Sequence, residues 1–160
     1  MQTPIGWLQG ESDLNAIYKL DFVDKKPKDK GDDDNPFAQK INSYFKGERT
    51  LSELPIAFEK TSEFKLKVLK ACNKIPYGEV KSYSQLAKEC GSPNAARAVG
   101  LIMKNNHLPL VIPCHRVVGK NGSLVGFNVG LNRKEWLLKH EKVSFSLQNR
   151  VILPLQEHNG

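Results

Sequence analysis

The sequence predicts an α/β chain of the α+β type. A small N-terminal sheet-and-helix lobe over residues 1–60 precedes a mostly helical C-terminal domain over residues 61–160 that contains a helix-turn-helix. Three observations predict this. Residues 16–23 alternate apolar and polar, the period of a strand with one covered face. From residue 61 onward apolar residues recur at helical spacing, between Ser caps and Gly breaks. Charge changes at the same place: residues 1–60 hold 9 Lys+Arg against 11 Asp+Glu, and residues 61–160 hold 15 against 6.

In chain order, Ile5-Gly6-Trp7-Leu8 reads as a first strand and Ala16 to Val23 as a second, joined by a turn at Gly10-Glu11-Ser12-Asp13. Lys25 to Asp34 is Lys, Asp, Pro and Gly with almost nothing to bury, so it reads as a solvated loop. Asn35-Pro36 has the form of an N-cap and first helical residue. Phe37, Ile41, Tyr44 and Phe45 follow at helical spacing and Gly47 ends the helix, so the aromatic stripe is assigned to core packing. Pro55 to Phe58 is an extended connection. A second helix from near Thr61 puts Phe64, Val68, Leu69 and Cys72 on one face, which makes Cys72 a packing residue. Ser82, with Gln85 three residues on, matches a capping box. After the break at Gly91, Ser92 reads as a second cap and Pro93 as the first turn of a helix running to about Lys104. Two short capped helices around a Gly turn are what a helix-turn-helix requires.

The bulk numbers narrow the class. The chain has 160 residues, 39% hydrophobic and 26% charged, ordinary values for a globular protein. No apolar run approaches membrane-spanning length and no signal peptide opens the chain, so the expected setting is cytoplasmic, or nuclear in a eukaryote. Three cysteines, Cys72, Cys90 and Cys114, form neither a disulfide framework nor a zinc pattern. Free thiols are expected, with no metal and no cofactor. The basic C-terminal part suits a polyanion such as DNA, and equally a solvated surface.

One stretch carries chemistry: Ile112-Pro113-Cys114-His115-Arg116-Val117-Val118, preceded by apolar Leu108 to Val111. A free thiol of pKa about 8.5 is only a few per cent thiolate at neutral pH, so an attacking cysteine needs a partner, usually histidine. Adjacency alone does not establish contact, and a buried structural cysteine is the commoner meaning of such a pair.

Pro113-Cys114-His115-Arg116-Val117 resembles the active-site signature of the O6-alkylguanine-DNA alkyltransferases. Ser82 to Ala87 and Ala95 to Gly100 resemble that family's helix-turn-helix. Asn106 stands where the family has a hinge asparagine. Gly126 to Leu131, Lys134 to Leu138 and His140-Glu141 resemble its substrate loop and closing helix. The match runs from about Phe64 to Glu141, and more loosely includes Thr3 to Trp7.

The resemblance implies direct-reversal repair. An alkyl group, typically methyl, on O6 of guanine (and O4 of thymine) would pass irreversibly to Cys114 from a nucleotide flipped out of the duplex. His115 would take the thiol proton, directly or through a water, and Glu141 would orient the ring. Asn106 would fix the turn before the cysteine, and Tyr83 would donate to the leaving base and press on the rotating phosphate. Arg116 would form a salt bridge inside the fold. The resemblance also implies minor-groove docking without sequence choice, through Ser92, Asn94, Ala95, Ala96 and Gly100, whose small side chains allow close approach. Arg97 would enter the stack in place of the flipped nucleotide. Met103, Val117, Phe127, Asn128, Val129 and Gly130 would line the base pocket. The expected partner is double-stranded DNA containing O6-alkylguanine, bound by a monomer without a membrane.

The sequence departs from the family at Phe127, where many members carry Tyr, and at Asn128 and Val129, where small Ser or Gly residues are common. His107 stands in place of a frequent proline. Three rivals set the alternatives: a non-catalytic alkyltransferase-like protein that binds damaged DNA and lacks the cysteine, a Cys-His hydrolase, and a DNA-binding regulator with a buried thiol.

Overall fold

The computed structural model describes residues 1–28, 31–125 and 130–153. Three antiparallel strands come first: β1 (Gln2–Thr3), β2 (Gly6–Ser12) and β3 (Ile17–Val23), in the order β1-β2-β3. The turn joining β2 to β3 lies later than the sequence suggests. Gly10 to Ser12 continue the strand, and Asp13 closes the hairpin as its carboxylate accepts from the amides of Asn15 and Ala16 at 2.7 and 2.8 Å. Gly10 serves the sheet instead of a turn, because a Cβ there would lie 2.8 Å from Leu20 Cδ1.

Helix α1 (Pro36–Phe45) starts as the sequence predicts: the Asn35 side chain accepts from the Ala38 amide at 2.9 Å and Pro36 occupies the first turn. Gly47, at φ +101°, supplies the left-handed residue beyond its end. Ile41 and Tyr44 are the buried members of its stripe. Residues 55–57 run beside β3, with Ile17 N–H donating to Pro55 O and Ala57 N–H to Ile17 O, both at 3.0 Å.

Helix α2 (Glu63–Asn73) buries Val68, Leu69 and Cys72, and Ser62 caps it. A two-residue strand β4 (Lys81–Ser82) leads into α3 (Tyr83–Glu89), where Ser82 and Gln85 form the full capping box. Gly91 at φ +80° breaks the chain before α4 (Ala96–Lys104). Here the structure corrects the sequence reading. Residues 92–95 form a turn, in which the Ala95 amide donates to Ser92 O at 2.9 Å. The N-cap is Ala95 and no side chain caps it, so Ser92 does not open the helix and Pro93 precedes it by three residues. Strand β5 (Val117–Val118) pairs in parallel with β4, and α5 (Leu131–His140) closes the C-terminal part.

One hydrophobic cluster joins both parts of the chain. Leu8, Ile17, Leu20, Ile41 and Tyr44 share it with Val68, Leu86, Val99, Leu110, Cys114 and Leu137. The Leu20 amide donates to His107 O at 2.9 Å, so the N-terminal sheet braces the segment that leads to the cysteine. No helix among the described residues is long and apolar enough to cross a membrane.

Candidate active site

Cys114 opens a single 3-10 turn, Cys114–Arg116, directly before β5, and is 1% exposed. The turn is set up on both sides. Its own amide donates to Ile112 O at 2.7 Å across Pro113, whose φ of −79° and ψ of 64° make an inverse γ-turn. Upstream, Asn106 is 3% exposed and clamps the approach: Nδ2 donates to Ile112 O and Oδ1 accepts from the Leu108 amide, both at 3.0 Å. Inside that clamp Leu110 sits at φ +78°, a left-handed conformation that costs a non-glycine residue about 1–3 kcal/mol unless its surroundings impose it. The Asn106 side chain also hydrogen-bonds the Cys114 sulfur.

His115 is fully buried. Its Nε2 lies 2.6 Å from Glu141 Oε2, and since a carboxylate only accepts, Nε2 carries the proton of that bond. Nδ1 is then the basic nitrogen, and it is a buried side-chain atom with no hydrogen-bond partner among the described residues. Burial holds the imidazole pKa below its ordinary value despite Glu141, so His115 rests neutral. Glu141 is ionised. Burial by itself raises its pKa, but His115 and Arg116 together hold it well below the carboxylate range. Arg116 meets it with Nε on Oε1 at 2.7 Å and Nη2 on Oε2 at 3.0 Å, and its Nη1 donates to Ile75 O at 2.7 Å. This is the internal salt bridge the sequence reading assigned to Arg116.

No direct hydrogen bond joins the Cys114 sulfur to the His115 ring. Burial pushes the thiol pKa up to about 11, against the lowering effects of Asn106 and of the Lys134 ammonium. Lys134 is the residue that sequence reasoning missed. It is 0% exposed, and Nζ donates to Val117 O at 2.7 Å, to Val125 O at 2.8 Å and to the Tyr83 hydroxyl at 3.4 Å. Burial brings its pKa down to about 8, while the neighbouring thiols work the other way. A lysine falling on the same stripe of α5 as buried Leu137 and Leu138 was the available signal.

Tyr83, at the start of α3, donates to Val125 O at 2.6 Å. Burial raises its pKa, which keeps the phenol protonated as a donor. Gly100 faces the Tyr83 ring, and a Cβ there would make ordinary contact with Tyr83 Cδ1 at 3.9 Å. Asn94, Arg97 and Ala98 are exposed, while Ser92, Ala95, Ala96 and Gly100 are half-buried. Met103 and Val117 lie in the core at 1% and 0% exposure. Gly130 is the N-cap of α5 at φ +100°. Phe127, Asn128 and Val129, expected as pocket wall, lie outside the described residues.

The structure therefore sets Asn106 on the buried Cys114 sulfur, Glu141 behind His115, and Tyr83 on Lys134, and leaves Arg97 exposed on α4. A helix pair of nucleic-acid-binding type, folded against a buried thiol with a histidine and a carboxylate behind it, defines a class: a DNA-facing protein with a reactive cysteine. The family model described as 6-O-methylguanine DNA methyltransferase, DNA binding domain, matches residues 63–143. The chain is 38% identical over 149 residues to the methylated-DNA–protein-cysteine methyltransferase of Mycolicibacterium paratuberculosis, covering 89% of this chain and 90% of the relative. Its fold is similar to Mycobacterium tuberculosis OGT solved in complex with DNA, with a TM-score of 0.73, 34% identity, and coverage of 89% and 90% of the two chains. It is also similar to S. pombe Atl1 in complex with damaged DNA containing O6-carboxymethylguanine, at a TM-score of 0.50 and 33% identity over 60% of this chain and 93% of that one. The chain belongs to the methylated-DNA–protein-cysteine methyltransferase family.

Proposed function

We propose that this protein repairs DNA by direct reversal, moving the alkyl group from O6 of guanine, and from O4 of thymine, onto its own Cys114. The observation that carries the proposal is the free, buried Cys114, hydrogen-bonded by Asn106 and acted on by the Lys134 charge, beside a neutral His115 that is hydrogen-bonded to Glu141. With a thiol pKa of about 11, only about one sulfur in ten thousand is ionised at neutral pH, so the proton must be taken as part of the reaction. His115 Nδ1 is the acceptor, with one water bridging it to the sulfur, and Glu141 stabilises the imidazolium that results. The thiolate attacks the alkyl carbon in line. The S–C bond forms, the C–O6 bond breaks, and the electron pair leaves with guanine. The Tyr83 phenol donates to the base once it lets go of Val125 O, and the proton held by His115 returns through water to leave the base neutral. Lys134 stabilises the anion on either side of the step. The thioether is not hydrolysed, so each molecule acts once and no cofactor is needed.

Binding of the damaged duplex is proposed through α4 in the minor groove, independent of sequence and by a monomer. Ser92, Asn94, Ala95, Ala96 and Gly100 approach the backbone, and Arg97 fills the space of the extruded nucleotide. Met103, Val117, Gly130 and the Phe127-Asn128-Val129 segment receive the base. Residues 61–160 hold all of this machinery, and residues 1–60 form a supporting lobe, in keeping with the Leu20 bond to His107 O. Incubation with an oligonucleotide carrying O6-methylguanine should add one methyl group, on Cys114, with no further conversion on repeated dosing. Cys114→Ala should bind the same duplex, with affinity falling as salt rises, and gain no mass. Intact binding without alkylation of the unaltered protein would favour a non-catalytic alkyltransferase-like role. Repeated turnover would favour a hydrolase.

A further inference from the structure

Glu141 has more donors than a partner for His115 requires. Oε2 accepts from His115 at 2.6 Å, from the Tyr44 hydroxyl at 2.6 Å and from Arg116 at 3.0 Å. Oε1 accepts from Arg116 at 2.7 Å and from the Gly78 amide at 3.3 Å. Of these donors only Tyr44 comes from the first 60 residues, 97 positions before the carboxylate. Its ring is fully buried, with Tyr77 and His140 edge-on at 6.1 and 5.1 Å. Its own carbonyl accepts from His140 Nε2 at 2.7 Å. The hydroxyl is therefore fixed by packing onto the oxygen that His115 uses.

We propose that Tyr44 is a positioning residue, through which the N-terminal lobe sets the basicity of His115 by sharing Glu141 Oε2 with it. The inference rests on the function proposed above. A further donor on one carboxylate oxygen withdraws negative charge from it, so the oxygen stabilises the imidazolium less and Nδ1 is less ready to take a proton. The other groups facing this cluster are the cations Arg116 and Lys134, the Tyr77 phenol, His140, and Arg49, whose guanidinium lies 4.8 Å from the Tyr77 ring centroid. A Tyr44→Phe change leaves them all in place and removes only the hydroxyl.

The expected result is a rise in His115 basicity. The ionisation midpoint of His115 should rise by about half to one pH unit, and alkylation at neutral pH, where His115 is the proton acceptor, should quicken roughly three- to tenfold. The midpoint is read without DNA, from the His115 ring nitrogen-15 shifts. Phe45→Leu alters the same aromatic cluster, 5.3 Å from the Tyr44 ring, and should leave the midpoint where it is. Placing 3-fluorotyrosine at position 44 alone, a more acidic donor, should move the midpoint down, and it serves as the test should Tyr44→Phe not fold. An unmoved or lowered midpoint in Tyr44→Phe overturns the proposal, as does a uniform loss of rate at every pH, which a merely structural role would give. If the midpoint moves as stated but the unaltered protein takes no methyl group from DNA, the role of Tyr44 stands and the repair reading fails.

Discussion

Removing Glu141 tests whether the site's electrostatics are as described. In Glu141→Ala the Arg116 guanidinium, 8% exposed, keeps Ile75 O as its hydrogen-bond partner among the described residues, while His115 Nε2 and the Tyr44 hydroxyl lose theirs. Breaking a buried ion pair from one side costs about 3–5 kcal/mol, because a charge remains in a poorly solvating interior. For a chain of this length each kcal/mol moves the midpoint of thermal unfolding by about 2–4 °C, so a fall of roughly 6–20 °C is expected. Calorimetry at neutral pH measures it. The double change Arg116→Met with Glu141→Leu removes both charges and should recover a large part of the loss. A single variant that melts within about 2 °C of the parent, or a double variant less stable than the single, would refute the reasoning.

The Glu141 pKa is lowered in the fold, so its contribution is fully present above the unfolded carboxylate value of about 4.3 and is lost as pH falls through the folded value. The gap between parent and Glu141→Ala should persist from about pH 5 to pH 8 and close only in acid. His115 acts in the same direction. Its pKa is also lowered, so the unfolded chain binds the extra proton, and stability should begin to fall below about pH 6.5.

Two further outcomes follow from the groups around the sulfur. Asn106→Ala orphans the buried Leu108 amide, at about 1–3 kcal/mol, leaves the Ile112 carbonyl with the Cys114 amide as its donor, and releases the left-handed Leu110. Urea titration should show that loss, together with slower methyl transfer at 25 °C. Lys134→Met deletes the cation that lowers the thiol pKa, so the Cys114 midpoint should rise beyond about 11, and the methylation rate at neutral pH should drop about tenfold for each unit of that rise. An unchanged rate would remove Lys134 from the chemistry.

Local rules that act within a few residues were legible in the sequence. The Asn35-Pro36 start, the Ser82 and Gln85 capping box, the Gly47 and Gly91 breaks and the apolar face of α2 each follow from a backbone need that a nearby side chain meets. The failures were local as well. Ser92 looks like a cap, but its carbonyl is taken by a turn to Ala95, and α4 begins three residues beyond Pro93. Gly10 looks like a turn residue, but the space its missing Cβ leaves is filled by Leu20 across the sheet, and the turn falls to Asp13. A small or capping residue marks a constraint on the backbone without saying which neighbour imposes it.

The thiol site shows the limit differently. Cys114, His115 and Asn106 sit within nine residues of one another, and the family motif makes them visible together. Yet the group that hydrogen-bonds His115 is Glu141, its charge is matched by Arg116 and shared with Tyr44, and the cation on the thiol is Lys134. The resemblance already implies Glu141 behind His115 and a salt bridge for Arg116, but Tyr44 and Lys134 were readable as something plainer, an aromatic core residue and a helix lysine. Periodicity reports which face a side chain occupies, and it says the same of a phenylalanine as of a tyrosine whose hydroxyl has found a carboxylate 97 residues away. The acid-base character of the cysteine depends on those end groups. The imidazole of its neighbour in sequence makes no direct hydrogen bond to it, so the reactivity of Cys114 is a property of the assembled interior rather than of the Cys-His pair.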